Sequence, residues 1–156
     1  MDFPARTSRR VRDNTAKSVN DRIELRTHSA VWDAQAEGRA GIDRRLAHLE
    51  REWDIERCLE TGASSLMALG VALGKTVDRR WYLLSAGVAA FLLQHALQGW
   101  CPPLPLFRRL GFRTADEINR ERYALKLLRG DFAGLASHPV ESNAMLVQEA
   151  LRATKH

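Results

Sequence analysis

The residue with the most evident chemical potential is Cys101, held in the run Gln98-Gly-Trp-Cys-Pro-Pro103. A thiol beside prolines at the end of an apolar segment suits a persulfide carrier or an oxidisable centre, which would make the chain a redox or sulfur-handling module. The neighbouring residue types argue against that chemistry. A sulfurtransferase loop closes backbone N–H groups and an arginine around its thiolate, whereas Pro102, Pro103 and Pro105 have no N–H to give. Cys101 also follows the C-terminal, electronegative end of a helix, which disfavours a thiolate, and Arg108 and Arg109 offset only part of this. The plainer expectation is a small residue filling a turn. The other thiol, Cys58, stands across a long apolar stretch, so no disulfide framework is expected.

A second group is Gln94, His95 and Gln98, three polar side chains within about one turn of an apolar segment. In lipid they need partners, either as a small polar path or as bonds across to a neighbouring helix. A metal centre is not expected, because His28, His48, His95, His138 and His156 are scattered, with no cysteine or carboxylate at ligand spacing. Glycine-rich phosphate loops, catalytic triads and zinc knuckles are missing, and nothing calls for a cofactor.

The elements that position these residues are two apolar segments. Charge stops at Glu60 and resumes at Lys75, leaving a stretch short for a membrane span, where about 20 apolar residues are usual. After the polar turn from Lys75 to Arg80, Trp81 to Trp100 carries no formal charge apart from the titratable His95 and spans ~28 Å as a helix. Trp81, Tyr82 and Trp100 bracket it where interfacial aromatics sit. Gly70-x-x-x-Gly74 supplies a face that another helix can approach closely, in lipid or in a water-soluble bundle.

The flanks are charged and helical. Val19, Ile23, Ala30 and Ala34 give a first weak stripe, interrupted around Gly38 to Gly41; Ile42, Leu46, Leu49 and Trp53 give a second. Thr114-Ala-Asp-Glu117 is a capping box that starts a helix through Ile118, Leu125 and Leu128 to Gly130. Val140, Ala144, Val147 and Leu151 mark a last amphipathic helix after Pro139. The expected organisation is a basic flexible arm at 1–17, an amphipathic helical region at 18–60, an apolar hairpin at 61–114 and C-terminal amphipathic helices at 115–156. The fold class is all-α.

The net charge of +5 comes with an arginine-rich start and suits phosphate groups, on nucleic acid or on anionic headgroups. A soluble nucleic-acid binder is the weaker reading, since the arm lacks interleaved aromatics and no recognition-helix pattern follows it. No apolar segment follows the basic start, so no cleavable secretory signal is expected. Arg44, Arg45, Arg51 and Arg57 before the hairpin and Arg108, Arg109 and Arg113 after it, against Lys75, Arg79 and Arg80 in its turn, put both termini on the cytoplasmic side.

Gln98-Gly-Trp-Cys-Pro-Pro103 followed by Leu110-Gly-Phe-Arg-Thr114, after two apolar segments, resembles the YgaP-like inner-membrane transmembrane domain family over roughly residues 55 to 115. The chain departs from that pattern in Pro103 and Pro105 and in its long charged extensions. The resemblance implies a bacterial inner-membrane helical hairpin that associates with a second copy, sometimes alongside a rhodanese sulfurtransferase domain, and without catalysis of its own. The expectation is therefore a non-enzymatic membrane scaffold or anchor, forming a homo-oligomer on anionic lipid and recruiting a cytoplasmic partner such as a sulfurtransferase or redox protein.

Overall fold

The computed structural model of the chain describes residues 9–133. The expected last helix around Val140 to Leu151, His138, His156 and the first eight residues of the arm lie outside the described residues. The described elements are all helical, as the periodicity requires: α1 (Arg10–Asp13), α2 (Lys17–Ala36), α3 (Gly38–Leu49), α4 (Ile55–Thr76), a 3₁₀ turn (Arg79–Trp81), α5 (Tyr82–Gln98), α6 (Leu104–Leu110) and α7 (Ala115–Arg129).

Two compact units form, each discontinuous in sequence. One combines Glu52–Ile118 with the chain up to Arg26; the other combines Thr27–Arg51 with the chain from Asn119. In the first unit, Val11, Ile55, Leu59, Cys101 and Leu104 make a buried cluster, against which Phe107 and Phe112 pack. Fully burying a side chain such as Ile55 or Leu104 contributes about 1.5–3 kcal/mol. For the described part of the arm, residues 9–17, buried Val11 replaces the flexible segment expected there. Its burial holds the short α1 in place, and so local composition did not reveal it.

The second unit is built on α3, whose Ile42, Leu46 and Leu49 are buried, together with Ala34 from α2 and Leu125 from α7. Buried Glu121 takes a two-pronged ion pair from Arg45 at 2.6 and 3.2 Å. Arg129 reaches Asp43 at 2.6 Å. Trp53 does not continue the α3 stripe. The helix stops at Leu49, Asp54 starts α4 by accepting the Arg57 N–H at 2.7 Å, and the exposed Trp53 ring lies 4.4 Å from the Arg57 guanidinium instead.

The capping box forms as read. Thr114 Oγ1 accepts the Glu117 N–H at 3.2 Å, and Glu117 Oε2 accepts the Thr114 N–H at 2.9 Å. α7 ends at Arg129 before Gly130, which has φ of +87°.

Candidate functional site

In the first unit, α4 and α5 pack along one another, and small residues set the approach. A Cβ added at Gly70 would stand 2.4 Å from Ser85 Oγ and 3.1 Å from the Ser85 backbone N, and one at Gly74 would stand 2.8 Å from the Tyr82 ring. The Gly70-x-x-x-Gly74 face is thus occupied by the chain's own α5. Ser85 Oγ donates to the Met67 carbonyl at 2.9 Å, a bond between the two helices. Pairing Gly70 with Ser85 and Gly74 with Tyr82 makes them antiparallel.

α5 carries no Asp, Glu, Lys or Arg and is largely apolar, yet the described residues cover little of it. Leu83 is 74% exposed and Leu93 62%, and Phe91 and Leu97 are also exposed, as are Leu66, Leu69 and Val71 on α4. Trp81, Tyr82 and Trp100 are exposed at the two ends of α5. The helix is shorter than the Trp81 to Trp100 span expected: Trp81 belongs to the 3₁₀ turn, and Gly99, at φ +74°, ends the helix before Trp100. At 17 residues it is ~26 Å long. No helix among the described residues is long and apolar enough to cross a membrane.

The polar trio separates. Gln98 is exposed and its carbonyl accepts the Asn14 side-chain N–H at 2.8 Å; Gln94 is half-buried; His95 is buried, and neither ring nitrogen has a partner. Cys101 is buried in the core cluster, where burial pushes its thiol above the ordinary range. That disfavours thiolate chemistry and suits the turn-filling role.

The residues around Cys101 form a corner. Gly99 stops α5. α6 then ends in a Schellman motif, with the Phe112 N–H on the Phe107 carbonyl at 3.1 Å and the Gly111 N–H on the Arg108 carbonyl at 3.0 Å. The Phe107 and Phe112 rings meet edge to face at 5.4 Å. Next along the chain, the Arg113 carbonyl accepts the Ile55 N–H at 2.8 Å, and its guanidinium clasps Glu52 at 2.6 and 2.7 Å. No family model, curated protein or solved structure matches the chain. What the corner does is therefore argued from its chemistry.

The corner's principal feature is an ion pair that sequence reasoning missed. Arg108, only 1% exposed, gives both arms of its guanidinium to Glu117, at 2.7 and 2.8 Å. The remaining donors reach the Phe112 carbonyl at 3.0 Å, Asn20 Oδ1 at 2.8 Å and Thr15 Oγ1 at 3.2 Å, so all five guanidinium N–H groups are used. Burial by itself would raise the Glu117 pKa. The Arg108 hydrogen bonds, the Thr114 N–H and the charges of Arg108 and Arg12 outweigh it and hold the carboxyl below its ordinary range. Arg108 is therefore neither a headgroup ligand nor a stabiliser of a Cys101 thiolate. Arg45 and Arg113 are likewise held by Glu121 and Glu52 and do not join the basic surface expected of them. The signal for Arg108 lay in its spacing: Leu104, Phe107 and Arg108 stand at i, i+3 and i+4, one face of α6.

Proposed function

We propose that this chain is a non-catalytic membrane anchor and scaffold, in which α4 and α5 sink their apolar bodies into the bacterial inner membrane as a helical hairpin and the ion-paired helices stay outside it. The observation that carries this reading is the exposed apolar surface of α5. A helix this rich in apolar side chains belongs either in a protein core or in lipid, and Leu83 and Leu93 meet no protein core among the described residues. A tilted or re-entrant pair accommodates its limited length, with Lys75, Arg79 and Arg80 at the tip reaching toward headgroups. The exposed Arg57 and Arg109 supply positive charge for anionic lipid. The resemblance to the YgaP-like family supports the same reading, including association with a second copy and both termini on the cytoplasmic side. Because Gly70 and Gly74 are used within the chain, the exposed face of α5 is the surface for that second copy. The exposed Trp32 of the other unit offers an anchor for a cytoplasmic partner.

Fractionation tests the proposal. The full chain is expected in the membrane pellet and to resist carbonate extraction, and Leu83→Asp with Leu93→Asp should move it to the supernatant, each aspartate costing about 2.5–3.5 kcal/mol at full depth in lipid. Recovery of the unaltered chain in the soluble fraction would refute the anchor.

A further inference from the structure

At the tip where α4 turns into α5, every residue from Lys75 to Leu83 is exposed. The run reads Lys-Thr-Val-Asp-Arg-Arg-Trp-Tyr-Leu and mixes two kinds of side chain. Lys75, Arg79 and Arg80 set three cations against the single carboxylate of Asp78. Val77 is 69% exposed and Leu83 74%, with Trp81 and Tyr82 exposed beside them.

The backbone of the turn is satisfied from within. The Val77 and Asp78 N–H groups donate to the Leu73 carbonyl at 2.8 and 3.2 Å, and the Trp81 N–H donates to the Asp78 carbonyl at 3.1 Å. The Arg80 N–H donates to Asp78 Oδ1 at 2.7 Å, so the one carboxylate of the tip is engaged by the turn itself. None of the three cations forms an ion pair among the described residues. Arg12, Arg45, Arg108, Arg113 and Arg129, by contrast, all hold carboxylates. The positive charge of the tip is therefore free for an outside partner, on a turn whose shape needs no partner to form.

The apolar side chains narrow what that partner is. A nucleic acid would meet the cations and leave Val77 and Leu83 in water. A surface of phosphates with hydrocarbon directly beneath it meets both kinds: the cations reach the phosphates, Trp81 and Tyr82 sit at headgroup level, and Val77 and Leu83 enter the acyl region. We infer that this tip is the chain's docking surface for anionic phospholipid and carries the larger share of its preference for anionic over zwitterionic bilayers. The inference rests on the membrane reading above and adds the lipid class and the place that recognises it. Carbonate-resistant pelleting judges the anchor and a ratio of affinities for two vesicles judges the tip, so the two fail separately.

The test dilutes the full chain from mild detergent onto vesicles of phosphatidylcholine, alone or mixed with phosphatidylglycerol, and reads the bound fraction by flotation at low ionic strength. Each free cation at an anionic surface is worth about fivefold, so the mixed vesicles should bind on the order of 100-fold more tightly. Lys75→Gln with Arg79→Gln and Arg80→Gln should remove most of that ratio while circular dichroism shows the helices intact, whereas Arg57→Gln with Arg109→Gln should leave most of it. Should the triple variant not fold, the three single variants decide, each expected to lose about fivefold. Val77→Ser with Trp81→Ser should weaken binding to both kinds of vesicle. Equal affinity for the two vesicles or an unchanged ratio in the triple variant would overturn the inference. So would vesicle binding that Val77→Ser with Trp81→Ser leaves unchanged and a DNA duplex displaces, which would make the tip a nucleic-acid contact.

Discussion

Replacing Arg108 by alanine is expected to lower folding stability by about 3–5 kcal/mol, the usual loss when one member of a buried ion pair is removed. The reason lies in what stays behind. Glu117 would remain buried with two oxygens that had faced the guanidinium, and Asn20, Thr15 and the Phe112 carbonyl would each lose a donor. α1, α2, α6 and the start of α7 all meet at this point, so the loss should appear as cooperative unfolding of the first unit, read by urea or thermal denaturation. A paired variant separates the ion pair from simple packing. Arg108→Met with Glu117→Gln removes both charges and keeps the glutamine that a capping box accepts, and it should recover at least half of the loss. A drop below about 1 kcal/mol for Arg108→Ala, the level of an exposed pair, would contradict its burial.

The same pair sets an acid limit. Glu117 has a folded pKa below its unfolded value of about 4.3. Its contribution is therefore fully present above that unfolded value and is lost as pH falls through the folded one. Thermal midpoints measured from pH 6 downward should fall below about pH 4.3, and the fall should be smaller in Glu117→Gln, which has no carboxylate to protonate.

Local chemistry was legible in the sequence and tertiary capture was not. Thr114 and Glu117 announce a helix start because the capping box needs only residues three apart, and Gly130 announces its end for the same reason. The burial of Val19, Ile23, Ala34, Ile42, Leu46 and Leu49 follows from helical spacing. Trp53 fits that spacing as well, but the Asp54 cap overrides it, since a side chain that satisfies a free N–H fixes a helix start where periodicity would run through. α1 has four residues, far too few to be stable alone, and exists because Val11 enters the core. No local pattern reports such an element.

The arginines show the same division. A positive count along the chain measures charge and is blind to where the partners are. Arg45, Arg108 and Arg113 find their carboxylates 76, 9 and 61 residues away. Counted by sequence they form a basic surface; in the fold they are struts. His95 is the reverse case: its place in an apolar segment calls for a polar path or a bond across to a neighbouring helix, and within the described residues its ring is buried without a partner.

Gly99→Ala is expected to be the most damaging single methyl in the chain, costing about 2–5 kcal/mol from two separable sources. The first is conformational: at φ +74° an L-residue pays about 1–2 kcal/mol. The second is steric, because the new Cβ would stand 2.6 Å from the carbonyl carbon and oxygen of Arg10, which are backbone atoms and cannot rotate aside. α1 would have to lift, breaking the Asn14 bond to the Gln98 carbonyl at 2.8 Å and drawing Val11 out of the core. Gly130→Ala is the control, since its φ of +87° carries the conformational cost while nothing stands within 4 Å of the new Cβ. The difference between the two variants in chemical denaturation isolates the contact between α1 and the end of α5. If Gly99→Ala costs no more than Gly130→Ala, α1 does not pack there, and the burial of Val11 falls with it.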